Sequence, residues 1–207
     1  MSEAAFIKAV GTRLAHVTAA SNVALIRKQG LHPAAALARA AKVDPATLAL
    51  RRTRMELSGG AVLNHQLPIV HGLRAAHREI EGYSPEEWAE QLDSRVFFWP
   101  ARKGADFAKS IARDVPIATL WFDAGAFYRA HADRIDLAPG NSGNFLQGGS
   151  HMRRGDWFYV PATRMADFSR NRARQGINKG GDIVKEVSLR GSLSVAELND
   201  LIVDGAP

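Results

Sequence analysis

The sequence predicts a single α+β domain. Three observations carry this. Helix patterns with clear caps dominate the first half of the chain, short apolar or alternating runs gather in the second half, and no linker divides the 207 residues. A chain of this length buries a sizeable core as one unit, 1–207.

The elements follow in order. Residues 2–10 read as a short helix. "RLAHVT" (13–18) alternates, so Leu14, His16 and Thr18 share one strand face. Ser21 is placed to cap a helix over 22–29, which Gly30 stops. "HPAAALARAAKV" is an alanine-rich helix, and "DPATLAL" starts another, with Asp44 as cap and Pro45 in its first turn. A helix is expected over 68–81. "SPEEWAEQL" opens on a capping box, Ser84 with Glu87. "RVFFWP" (95–100) is a short aromatic strand ended by proline, and "GADFAKSIARD" a helix. "IATLWFD" (117–123) is a buried strand, and "AGAFYRAHAD" a helix capped by Asp123. Residues 138–156, rich in Gly, Asn and Ser, form a long loop, and "WFYVP" reads as a strand. "SRNRARQGINKGGD" (169–182) reads as a basic, glycine-bearing loop. "IVKEVSL" (183–189) is a strand with Val184, Glu186 and Ser188 on one face, and a second capping box, Ser194 with Glu197, starts the closing helix.

Composition narrows the functional classes. Cysteine is absent, which removes disulfides, thiol nucleophiles and thiolate metal sites. No apolar run is long enough for a membrane span, and the N-terminus lacks an apolar signal core, so a cytoplasmic protein with no membrane partner is expected. The formal net charge is +6. Residues 151–190 carry nine basic side chains against four acidic ones. Such a stretch attracts polyanions by counterion release, or is simply a solvated basic surface. The seven histidines show no metal spacing, so no metal is expected. There is no phosphate-binding or dinucleotide fingerprint either.

Two features remain. His16 and Thr18 lie on a strand, with Asn22 opening the next helix, and Glu186 is a lone carboxylate inside an apolar strand. Each has a plain reading, as a satisfied strand histidine or as a glutamate facing solvent from a sheet edge. Each also fits the polar rim of a ligand pocket.

"HVTAASN" followed by "VALIRKQGL" resembles the N-terminal motif of DarT-type DNA ADP-ribosyltransferases, on His16, Thr18, Asn22, Ile26, Gly30 and Leu31. "RRTRMELSGGAVLNHQLPI" resembles their arginine-bearing loop, with Arg51, Arg52 and Arg54 as candidates for the key arginine. "VKEVSLRGSLSVAELNDLIV" resembles the strand that carries their catalytic glutamate, which falls on Glu186. A related bacterial family shares the "SRVFFWP" block and a later "SGN" loop, here Ser142, Gly143 and Asn144. The segment "NHQLPIVHGL" departs from the DarT pattern, which has an aromatic strand there.

The resemblance implies an ADP-ribosyltransferase-like fold, with split β-sheets and N-terminal helices. It implies NAD as substrate, single-stranded DNA as the favoured nucleic-acid acceptor, a toxin or anti-phage role and a possible macrodomain antitoxin. By the same resemblance Glu186, with Arg51 or Arg52, is catalytic. His16, Thr18, Asn22, Arg54 and one ring of the aromatic strand, Phe98, bind NAD; Phe97 and Trp99 are the other candidate rings. When nicotinamide leaves a ribose C1, positive charge develops there, and a carboxylate nearby stabilises it. A histidine and a hydroxyl can hold ribose hydroxyls, and an arginine can grip the diphosphate. Arg153, Arg154, Arg170, Arg172, Arg174 and Lys179 would then track an acceptor strand, with Trp157, Phe158 and Phe168 as stacking faces. Two alternatives stay open: a NAD-consuming enzyme with a protein or small-molecule acceptor, and a non-catalytic nucleic-acid-binding protein of the same fold. The direction of Glu186 separates them, since a carboxylate in a cleft with His16 favours an enzyme.

Overall fold

A computed structural model describes residues 2–111, 115–146, 151–174, 176 and 184–204. Helix α1 (Glu3–Val10) leads into β1 (Arg13–Ala19), α2 (Asn22–Gln29) and α3 (Ala34–Ala40). A 3-10 turn over Pro45–Leu48, capped by Asp44, precedes a small hairpin of β2 (Met55–Glu56) and β3 (Val62–Leu63). Helices α4 (Leu67–Val70), α5 (Leu73–Glu79) and α6 (Pro85–Asp93) follow. Then come β4 (Arg95–Pro100), α7 (Ala101–Ile111), β5 (Ile117–Asp123), α8 (Ala124–His131) and β6 (Ile135–Ala138). The chain closes with β7 (Val160–Pro161), α9 (Phe168–Arg174), β8 (Glu186–Arg190), α10 (Val195–Leu201) and β9 (Ile202–Val203).

The protein is therefore mixed α and β, as its sequence predicts. Seven strands form one antiparallel sheet in the order β7-β6-β8-β4-β1-β5-β9. The expected division into split sheets appears only as a narrow junction within it. β4 and β1 pair over just Leu14↔Pro100 and Ala15↔Trp99. Beyond those two pairs β1 follows β5 and β4 follows β8, so the strands part and leave a gap.

Apolar side chains cover the sheet in three clusters. The largest joins Phe6 of α1, Phe98 and Phe122 of the sheet, Phe127 of α8 and Leu198 of α10. A second centres on Trp88, Phe145 and Phe158, and a third on Ala38, Leu48 and Leu63 beside the hairpin.

Local signals and tertiary contacts each set some boundaries. Both capping boxes form, Ser84 with Glu87 and Ser194 with Glu197. Ser21 does not cap α2, because its own backbone is helical and its hydroxyl makes no cap bond. Gly30 ends that helix at φ 101°, and a Cβ there would lie 2.4 Å from the Leu193 carbonyl. The glycine thus lets Leu31 bridge to Leu193 through bonds of 2.9 and 2.8 Å.

The helix expected over 68–81 is broken in two at Gly72. A Cβ at that position would sit 2.6 Å from the Phe145 carbonyl oxygen. Gly72→Ala should push this loop outward and destabilise the fold by about 1–3 kcal/mol, the usual cost of overpacking. Urea unfolding with an unchanged m-value checks it.

"WFYVP" is mostly a 3-10 turn, Asp156–Phe158, with a strand only at Val160–Pro161. The segment read as a basic loop begins as helix α9, because Phe168 and Asn171 are buried there. Residues 175 and 177–182 of it, with Lys179, lie outside the described residues.

Candidate functional site at the parting of two strands

A cavity of about 740 Å³ opens where β1 and β4 separate. Its wall includes His16, Thr18, Arg54, Trp99, Ser142 and Glu186. Its size falls within the roughly 300–1,000 Å³ of ligand sites.

His16 occupies the gap in the ladder. Its Nδ1 lies 2.9 Å from the carbonyl oxygen of Phe97, replacing a strand-to-strand bond. A carbonyl only accepts, so Nδ1 carries the proton and Nε2 is left as the acceptor. Burial lowers the imidazole pKa, opposed by that carbonyl bond, so the ring is neutral at pH 7.

Asn22 opens α2 and ties three segments together. Its amide nitrogen donates to Thr18 Oγ1 and to the Val62 carbonyl, both at 2.9 Å, and its oxygen accepts from Val62 N–H at 2.8 Å. The hairpin wall is thereby pinned to β1. Thr18 accepts from Asn22, so its own hydroxyl proton can point to a ligand. Asn22→Ala should destabilise the protein by about 2–3 kcal/mol, because buried partners lose their bonds.

Glu186 does not face solvent from a sheet edge. Its strand, β8, lies between β6 and β4, so this is no edge strand. The side chain is only 2% exposed, lines the cavity and accepts from Ser142 Oγ at 2.7 Å. Burial pushes its pKa up to about 7, partly opposed by hydrogen bonds from Ser142 and by the positive charges of Arg154 and Arg95. Glu186 and His16 line the same cavity, and a carboxylate raised toward neutrality in such a place marks a candidate functional site.

Ser142 belongs to a loop held from several sides. Its carbonyl accepts from Trp88 Nε1 at 3.1 Å. Asn141 Oδ1 accepts from Gly143 N–H at 3.0 Å, closing an Asx turn.

The arginine candidates divide. Arg51 grips Asp93 in a bidentate pair at 2.5 and 3.0 Å and donates through Nε to the Asn64 carbonyl. It is therefore a strut of the cavity wall. Arg52 is exposed and is not among the lining residues. Arg54, half-buried, is the candidate that lines the cavity without being tied into the Arg51–Asp93 pair.

The assignment of Phe98 to NAD is corrected by strand alternation. Phe98 is fully buried against Phe122 and Phe127, while Phe97 and Trp99 line the cavity. Trp99 also stacks on Phe107, with ring centroids 3.6 Å apart.

Two cations of the expected acceptor track are taken inside the fold. Arg154 and Arg172 are buried. Arg153 pairs with Glu81, Arg170 pairs with Asp167 at 3.2 Å, and Arg174 sits 5.7 Å from the Trp157 ring centroid. Phe158 and Phe168, offered as stacking faces, are fully buried core. Charge along the sequence did not show which guanidinium groups the fold takes inside.

Ser142, Arg95 and Asp93 were not expected as parts of the site. The SGN tripeptide was a signal for the first, while the other two act through partners distant in the chain. Among the described residues no group of acidic or histidine side chains could hold a metal ion, and no helix is long and apolar enough to cross a membrane.

A family model described as "Family of unknown function (DUF7002)" matches residues 12–200. No curated protein and no solved structure matches the chain.

Proposed function

The chain belongs to the DUF7002 family of unknown function, and we propose from its cavity that it cleaves the nicotinamide–ribose bond of NAD and transfers ADP-ribose to a nucleic-acid acceptor. The observation that carries this reading is the buried Glu186, which shares a cavity with the neutral His16, Thr18 and Arg54. NAD supplies the chemistry of a cationic leaving group at a ribose carbon. Thr18 can donate to a ribose hydroxyl and His16 Nε2 can accept from one. Arg54 offers a fork to the diphosphate, and Phe97 or Trp99 offers a ring face to nicotinamide.

Ionised Glu186 stabilises the positive charge that develops on C1. The C1–N bond breaks with its electron pair going to the pyridine nitrogen, and nicotinamide leaves neutral. An acceptor oxygen or nitrogen bonds to C1 and loses its proton. Glu186, with its pKa near the working pH, can take that proton and release it to water.

A second reading has its own support. Burial of Arg154 and Arg172 thins the basic track, which favours water or a small molecule as acceptor. One experiment tests both. Purified protein is incubated with NAD, with and without single-stranded oligonucleotide, and nicotinamide, ADP-ribose and oligonucleotide mass are followed. A DNA-dependent release with an oligonucleotide heavier by one ADP-ribose supports transfer. Release with free ADP-ribose supports hydrolysis. No release under either condition overturns both.

A further inference from the structure

Arg154 is fully buried, yet it stands outside the cavity that holds Glu186. Its backbone is clamped to the end of α5, through Arg154 N–H to the Glu79 carbonyl and Glu81 N–H to the Arg154 carbonyl, both at 2.8 Å. The guanidinium therefore projects from a fixed base. One terminal nitrogen donates to the Met152 carbonyl, and the other donates to the carbonyls of Asn141, at 2.9 Å, and Asn144, at 2.6 Å. Its Cζ lies over the Phe145 ring, 4.1 Å from the centroid. The two carbonyls that share one nitrogen flank Ser142, whose hydroxyl donates to Glu186 at 2.7 Å. Trp88 holds the Ser142 carbonyl between them.

We propose that Arg154 is a positioning residue for Glu186, which fixes the direction of the Ser142 hydroxyl by gripping the loop on both sides of it. As a role in catalysis this rests on the reading of Glu186 given above. A lysine cannot replace the grip, because an ammonium lacks the planar fork that spans several carbonyls at once. It does keep the charge. Arg154→Lys therefore separates geometry from electrostatics.

The ionisable groups that face Glu186 are Arg95 on β4, Arg154 and Tyr159, with His16 of β1 in the same cavity. Asp136 of β6 is engaged by Arg95 at 2.5 Å. Arg154→Lys leaves Arg95, Tyr159, Asp136 and His16 in place and keeps a positive charge at 154; a shift from moving that charge would add to the loss of the Ser142 bond, whereas a shift from the lost grip would not. Losing that bond removes a group that favours the ionised form, so the pKa of Glu186 must rise.

The experiment reads the carboxylate itself. Carbon-13 NMR follows the glutamate carboxyl carbons of the full chain against pH, and the Glu186 signal is the one missing in Glu186→Gln. Ser142→Ala should move its midpoint upward by about half a unit or more. Arg154→Lys should move it upward by a similar amount, and the double variant should move it no further than the larger single shift, since both act on one bond. The acid limb of nicotinamide release should shift in parallel, with KM for NAD within about twofold of native. A folded Arg154→Lys protein with an unmoved midpoint, or shifts that add in the double variant, would overturn the proposal. If Arg154→Lys does not fold, Phe145→Leu, which takes the ring from beneath the guanidinium, is judged by the same criterion. A native protein that releases no nicotinamide would overturn the reading of the reaction, while the NMR midpoints would still decide the positioning.

Discussion

Glu186→Gln is expected to reduce nicotinamide release by about 10²–10³-fold while leaving NAD binding within a few-fold of native. Glutamine keeps the shape and can still accept from Ser142, which donates to Oε1 at 2.7 Å. It loses the negative charge, which matters only as C1 becomes cationic. The loss should therefore fall on kcat rather than KM. Stability should move in the opposite direction. The folded pKa, about 7, lies above the ordinary 4.5, so the folded state holds the proton more tightly than the unfolded one. Native stability attributable to this group is then complete below pH about 4.5 and is lost as pH rises to about 7. Glu186→Gln lacks that loss. At pH 8 it should be more stable than the native protein by on the order of 3 kcal/mol, and near pH 4 the difference should vanish. Urea midpoints at the two pH values check this, and an equal gap at both would show that the carboxylate is not a buried acid. An active site that stores such a penalty is a common trade of stability for function.

The parts of the site legible in the sequence are those whose signal is local. Alternation placed His16 and Thr18 on β1 and Glu186 on β8, and the capping boxes at Ser84 and Ser194 fixed the starts of α6 and α10. The same alternation, applied to "RVFFWP", leaves two opposite faces and does not say which one meets the core. Register with β8, where Phe98 pairs with Val187, decides that. Strand β6 is only four residues long and owes its conformation to pairing with β8 and β7. Basic residues read alike in a sequence. Arg154 is inside because carbonyls of a loop ten and more residues away converge on it. Gly72 looks like a tolerable helix glycine until Phe145 packs against it.

The pair Arg51–Asp93 shows the same limit and gives the largest expected loss of stability. The two lie 42 residues apart in sequence and each side chain is 9% exposed. Gln66 completes the cluster, donating to Asp93 Oδ1 at 3.1 Å and accepting from Leu50 N–H at 2.7 Å. Together they bind the segment around the β2–β3 hairpin, the wall that also holds Arg54, to the end of α6. Burial raises the Asp93 pKa, and the opposing pull of Arg51 and Gln66 does not fully offset it. A buried ion pair of this kind adds little net stability compared with an apolar packing, but removing one partner strands the other. Asp93→Ala should therefore destabilise the protein by about 3–5 kcal/mol. The double variant Asp93→Leu with Arg51→Met should recover much of that loss, because no charge is left buried. Equilibrium unfolding of the three proteins gives the coupling directly. If Asp93→Ala alone were as stable as native, the pair would be a surface contact and the wall would be held by the hairpin's own packing. Because the stranded guanidinium would reach for water through the cavity, Asp93→Ala should also weaken ADP-ribose binding, and the double variant should restore it only if Arg54 rather than Arg51 meets the diphosphate.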